Sequence, residues 1–190
     1  MKTNYHTHTT WCDGHDSAED MVLSAVEKQF DVLGFSSHAM PPFAAGWHMH
    51  PLSIEKYAQE IRKLSVSYAD KIEVLLGVEA DYFPVLSTPT NEVYKTIKPD
   101  FIIGSVHFLF DEKTVFTKNP GGSGIPYTCF TADGSEEEVT AGIQRVFKGN
   151  AKKAVQTYFS LQRDMIKECT FDIVGHIDLI RKNNGSLNFF

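Results

Sequence analysis

The chain has 190 residues, 42% hydrophobic and 22% charged, enough for one domain with a sizeable core. A net charge of −6 with histidine neutral provides no basic face, which argues against nucleic acid as a partner and is compatible with bound cations. The three cysteines, Cys12, Cys129 and Cys169, are odd in number and widely spaced, and no targeting segment or apolar run of about 18 residues is visible, so a soluble cytoplasmic protein with no membrane partner is expected.

Lys2–His6 reads as a first strand entering a turn. Residues i and i+2 of a strand share a side, so His6 and His8 aim two imidazoles at one point. Asp13, followed by Gly14, can fold back toward them. Two nitrogens and a carboxylate begin a site for zinc, manganese or iron. Ser17 then caps a helix with Glu19 and Asp20 in its first turn and Met21, Val22, Ala25 and Val26 at helical spacing, ending near Phe30. Val32–Phe35 is a second strand leading to Ser36-Ser37-His38. The irregular stretch 39–51, with Pro41, Pro42, Trp47, His48 and His50, is long for a connection and suggests a lid. Ser53 is the expected cap of a second helix with Ile54, Tyr57, Ile61 and Leu64 on one face. Ile72–Val78 is a third strand ending at Glu79, and 91–97 a short helix. Phe101–Val106 is a fourth strand ending at His107. The segment 111–134, with Asn119-Pro120-Gly121-Gly122, reads as a loop insertion. Helices follow from Ser135 and over 152–168, separated at Gly149-Asn150, and 171–175 is a fifth strand ending at His176.

Alternating helices and mostly apolar strands predict a parallel sheet buried on both faces. His6, His38, Glu79, His107 and His176 each close a predicted strand, and strand C-termini are where parallel α/β folds build their sites. Such a set can hold two or three divalent ions, with Glu79 able to bridge two of them. Ions so held lower the pKa of a bound water, producing hydroxide at neutral pH, and stabilise charge on a phosphoryl group during in-line displacement. No nucleophile elbow or P-loop offers another route.

These motifs, His6-Thr7-His8 with Asp13-Gly14, Ser37-His38, Gly77-Val78-Glu79, Gly104-Ser105-Val106-His107 and Gly175-His176-Ile177-Asp178, resemble the PHP (polymerase and histidinol phosphatase) superfamily across essentially the whole chain. The stretches 103–108 and 174–182, and the Pro41-Pro42 loop, resemble its histidinol-phosphatase branch. The resemblance implies a single PHP domain over 1–190 with a distorted seven-stranded α/β barrel and a trinuclear site of zinc, manganese or iron. It implies His6 and His8 on one metal, Glu79 bridging to a second that His107 helps to hold, and Asp13, His38 and His176 completing the rest. Glu79, His107 and His176 are the candidate catalytic residues. Ser105, Arg181 and Lys182 are the candidate substrate contacts, the last two equally readable as a solvated basic pair; Arg forks pair with phosphate oxygens. His15 is the alternative to Asp13. Trp47, His48 and His50 either close over the substrate's imidazole or pack the lid, and Asp178 is expected to be structural. The implied reaction is hydrolysis of L-histidinol phosphate to L-histidinol and phosphate, in histidine biosynthesis.

The chain departs from the family in lacking a late Asp-x-His motif after His176, and about five strands are visible where seven are expected. It reads as a member missing its C-terminal strand–helix units, with open sheet edges, marginal stability as a monomer and a possible homodimer covering the gap. A non-catalytic metal-binding remnant, or a phosphoesterase acting on nucleotides or phosphotyrosine, is the alternative.

Overall fold

The computed structural model describes residues 1–39, 43, 45–84, 86–111, 114 and 125–182. In chain order the elements are β1 (Thr3–Asn4), α1 (Ala18–Glu27), β2 (Val32–Phe35), a 3-10 turn (Pro51–Ser53), α2 (Ile54–Ser67), β3 (Glu73–Asp81), α3 (Glu92–Ile97), β4 (Phe101–Ser105), β5 (Phe108–Phe110), β6 (Cys129–Thr131), α4 (Glu136–Phe147), α5 (Ala151–Glu168), β7 (Ile173–Val174) and a 3-10 turn (Leu179–Arg181). Five strands form one parallel sheet in the order β1-β2-β3-β4-β7, curled into an open half-barrel, as the apolar runs require.

Strand periodicity decides which side of β3 carries chemistry. Val74, Leu76, Val78 and Ala80 enter a core built with Val22 and Ala25 of α1 and Tyr57, Ile61 and Leu64 of α2. Glu79 and Asp81 therefore face the opposite, concave side. The face of α2 is the one its 3.6-residue spacing predicts, with Ile54, Tyr57, Ile61 and Leu64 all buried. Ser17 caps α1 by accepting from Asp20 N at 3.2 Å. Ser135 and Glu138 form a reciprocal capping box that starts α4.

A second core lies under the chain's later half. Phe108, Phe110, Cys129 and Phe130 pack with Val139, Ile143 and Phe147 of α4 and Ala154, Tyr158, Leu161 and Met165 of α5. This core holds the main departure from the sequence reading. Inside and beside the expected loop insertion, β5 and β6 pair antiparallel as a hairpin, with Leu109 opposite Phe130. Each strand is only three residues long, too short for a periodic signal, and burial against α4 stabilises them.

Other boundaries shift for local reasons. β3 continues past Glu79 to Asp81, pairing with Ser105 of β4. The fifth parallel strand is cut to two residues, though Asp172 N and Gly175 N still donate to Ile102 O and Gly104 O. Ser53 makes no side-chain cap; His50 Nδ1 instead accepts from Leu52 N and starts the 3-10 turn before α2. Asp178 stands at the start of the last 3-10 turn, not on a continuing strand. Pro41-Pro42 and Asn119-Pro120-Gly121-Gly122 lie outside the described residues. Among the described residues no helix is long and apolar enough to cross a membrane.

Candidate metal centre

The first two histidines sit just beyond β1, where the backbone is pinned to β2. Thr7 Oγ1 donates to Gly34 O at 2.7 Å, and Thr7 O accepts from Ser36 N at 2.9 Å. His6 and His8 are thereby turned to the same side. The chain then tightens into a turn in which Cys12 N and Gly14 N both donate to Thr9 O. A Cβ on Gly14 would lie 2.4 Å from Thr9 N, so only glycine permits this closure and the return of Asp13. His38 bridges to β3 through Ala39 N to Glu79 O and Glu79 N to Ser37 O. His107 leaves β4 toward the same point. His176 follows Gly175, whose missing side chain leaves room for Ser105 Oγ, 2.0 Å from where a Cβ would stand.

Glu79, 1% exposed, is the hub. Its Oε2 lies 3.1 Å from His6 Nε2, His8 Nε2 and His38 Nδ1 alike. Its Oε1 lies 2.8 Å from His176 Nε2 and 3.4 Å from His107 Nε2, and accepts a 2.6 Å hydrogen bond from Ser105 Oγ. Asp13 holds the outer side of His8, Oδ1 to Nδ1 at 2.8 Å, and its other oxygen is 3.7 Å from His38 Nε2.

Charge follows from this crowding. Burial opposes ionisation of Glu79, but hydrogen bonds from His176, His6 and His8 and the charge of His107 hold it well below the usual carboxylate range. Burial likewise opposes a charge on His8, yet contacts with Cys12, Glu79 and Asp13 push it up to about 11. For His107, the Asp81 and Glu79 carboxylates outweigh burial and raise it to about 9. His38 goes the other way: burial, reinforced by neighbouring His107 and His8, lowers it to about 3 against the pull of Glu79.

Every strand-end residue singled out in the sequence meets at this point. His6, Glu79 and His176 bring ligand atoms within 4.8 Å of one another; so do His8, His38 and Glu79. His107 joins them through Glu79 and Asp81. Asp13 is in the third such group, with His8 and Cys12, whereas His15 is exposed in the same turn and in no group. Ser105 is fully buried and spends its proton on Glu79, so it supports that carboxylate from behind rather than facing a substrate. Arg181 and Lys182 are more than half exposed, 3.8 Å from Asp178 and 3.5 Å from Asp133. Trp47 stands edge-on to His38 and His107 at 4.6 and 5.2 Å between ring centroids, forming a wall of the centre, while His50 is spent on its turn.

Two participants were missed from sequence. Cys12, half-buried, brings its sulfur within 4.8 Å of ligand atoms of His8 and Asp13; its position beside Asp13 was the available signal. Asp81 contacts both His107 and His48, and its place two residues after Glu79 on one strand marked it.

The donors fit divalent transition-metal ions. Five imidazoles crowd one carboxylate that cannot accept in line from all of them. His38 Nδ1, although 3.1 Å from Glu79 Oε2, is off-line and remains a buried nitrogen without a hydrogen-bond partner among the described residues. Mixed imidazole and carboxylate donors converging on a common centre are what such ions take.

Comparison with known proteins agrees. Residues 4–188 match the PHP domain. A protein of Deinococcus radiodurans named "Probable histidinol-phosphatase" is 27% identical over 181 residues, 93% of this chain and 60% of that protein. The solved hisK protein of Listeria monocytogenes superposes with a TM-score of 0.74 at 23% identity, over 95% of this chain and 68% of that one. The histidinol phosphate phosphatase of Lactococcus lactis, solved with zinc, L-histidinol and phosphate, gives 0.66 at 20% identity, over 95% and 59%. The chain thus spans about 60% of the length of the Deinococcus relative.

Proposed function

This chain belongs to the PHP domain family, and on that premise we propose that it is a metal-dependent phosphomonoesterase that hydrolyses L-histidinol phosphate to L-histidinol and phosphate. The observation that carries this reading is Glu79: one buried carboxylate within 3.4 Å of five imidazoles, which the ends of β1, β2, β4 and β7 deliver. The names of the Deinococcus and Lactococcus proteins supply the substrate. The single domain is taken to span 1–190.

His6, His8, Asp13, His38, Glu79, His107 and His176 would hold two or three divalent ions, zinc, manganese or iron. Such ions supply a water of lowered pKa and positive charge beside the phosphoryl oxygens. The protein's own contribution is geometric. Glu79, braced by Ser105, spans both halves of the cluster through its two oxygens. Asp13 orients His8 from outside, a carboxylate–imidazole pairing that fixes which ring nitrogen faces the centre. Trp47 walls off one side from water. Arg181 and Lys182, on the turn after His176, would be the contacts to the substrate phosphate.

A second reading is a metal-binding domain without turnover. The open half-barrel favours it, because the site faces the concave side of a sheet whose edges, β1 and β7, each have one partner among the described residues. Rates on L-histidinol phosphate, nucleoside monophosphates and phosphotyrosine with zinc or manganese supplied decide among these. The proposal expects histidinol phosphate to be turned over fastest and a chelator to stop it. Preference for a nucleotide or phosphotyrosine would replace the substrate, and metal uptake without turnover on any of them would support the second reading.

A further inference from the structure

Asp81 ends β3 on the same face as Glu79 and is 2% exposed. Both of its oxygens are engaged: Oδ1 lies 2.7 Å from His107 Nδ1, and Oδ2 lies 2.7 Å from His48 Nε2. An ionised carboxylate only accepts, so each ring turns an N–H toward it. With a cation on His107 Nε2, the nitrogen that faces Glu79 Oε1 at 3.4 Å, the remaining proton of that ring sits on Nδ1. His48 is then protonated on the opposite nitrogen, Nε2, and its Nδ1 has no hydrogen-bond partner among the described residues.

His48 is in none of the groups of converging ligand atoms among the described residues, although its ring lies 5.4 Å from that of His38. It carries Trp47, whose ring lies against it with centroids 3.5 Å apart and stacks over Phe108 at 5.6 Å. Trp47 in turn meets His38 and His107 edge-on. The same carboxylate therefore grips a histidine of the metal centre with one oxygen and the wall of that centre with the other.

We propose that Asp81 is a positioning residue shared by the centre and its wall: Oδ1 orients His107 so that Nε2 faces the cation, and Oδ2 anchors the Trp47–His48 segment over His38 and His107. The inference rests on the metal-centre reading above. One carboxylate thus serves both the histidine that meets the cation and the tryptophan that stands over it. Carboxylates that orient ligating histidines set metal affinity in this way.

The test begins with the unmodified chain loaded with zinc, using nitrogen-15 NMR of the histidine rings. His107 is expected to carry its proton on Nδ1 and His48 on Nε2; a proton on His107 Nε2 overturns the orienting role. Asp81→Asn is expected to weaken zinc binding about 10–100-fold in competition with a chromophoric chelator. In a Trp11→Phe background, where Trp47 is the remaining tryptophan, it is also expected to open Trp47 to acrylamide quenching. His48→Phe keeps a flat ring against Trp47 and removes the donor. It should open Trp47 while zinc affinity stays near the parent's, and unchanged shielding overturns the anchoring role. Should Asp81→Asn fail to fold, the ring-proton measurement and His48→Phe decide the two halves. An unmodified chain that takes up no zinc sinks the metal-centre reading. Zinc uptake by the parent, together with an Asp81→Asn variant that binds zinc and shields Trp47 as the parent does, sinks this inference alone.

Discussion

Glu79 is where the chemistry of single residues is concentrated. Among the described residues its charge is compensated by imidazoles, and each protonated imidazole must release a proton before it can bind a cation. His8 and His107, pushed up to about 11 and about 9, are protonated at neutral pH in the metal-free protein. Zinc titrated into unbuffered, metal-free protein at pH 7 is therefore expected to release protons as it binds, and binding with no acidification would contradict these charge states. Ser105→Ala removes the 2.6 Å donor to Glu79 Oε1 and is expected to cost about 1–3 kcal/mol in urea unfolding under chelator. The strand-end positions of the histidines made this centre readable in the sequence, because a parallel sheet sends consecutive strand ends to one place. Ser105's role was not readable in the same way: its motif suggested a substrate contact, and only the packing of Gly175 against its hydroxyl shows that it faces inward.

Elements rather than residues decide whether His176 reaches the centre. β7 is two residues long and, among the described residues, joins the sheet through β4 alone. The missing Cβ of Gly175 permits that join, so Gly175→Ala, which would set a methyl 2.0 Å from Ser105 Oγ, is expected to lower stability by about 1–3 kcal/mol through overpacking. A melting temperature equal to the parent's would show that the join yields freely. From the other side, Tyr158 of α5 donates to His176 O at 3.0 Å and accepts from Leu179 N at 3.2 Å and Gln162 Nε2 at 2.9 Å. Its hydroxyl staples the turn after His176 to the helix. Helices and longer strands were foreseen, as the buried face of α2 and the start of α4 at Ser135 illustrate. The hairpin of β5 and β6 was not, because three-residue strands separated by a long polar stretch carry no local pattern and form through contacts with α4 and α5.

At the scale of the whole molecule, stability is tied to the charge of the centre. In the unfolded chain a histidine titrates near 6.5. His107 and His8 are raised on folding, so they contribute stability that is fully present below 6.5 and is lost as pH rises through about 9 and about 11. His38 is lowered, so its contribution is present above 6.5 and is lost as pH falls toward about 3. The metal-free protein is therefore expected to melt highest near pH 6.5 and lower on both sides. A melting temperature in chelator that is flat between pH 6.5 and 10 would contradict this. Bound metal should raise the melting temperature wherever it binds the folded form alone. The parallel half-barrel was foreseen, and the five expected strands are the five found in the sheet.

The most direct test of the central claim is to measure phosphate released from L-histidinol phosphate and metal ions bound per chain on the same purified sample, for the parent and for His107→Ala. Two or three ions in the parent with steady turnover, both reduced by the substitution and turnover abolished by chelator, is the expected result. Turnover that persists in a chelated, metal-free sample, or a parent that binds no metal when zinc, manganese and iron are each supplied, would contradict it.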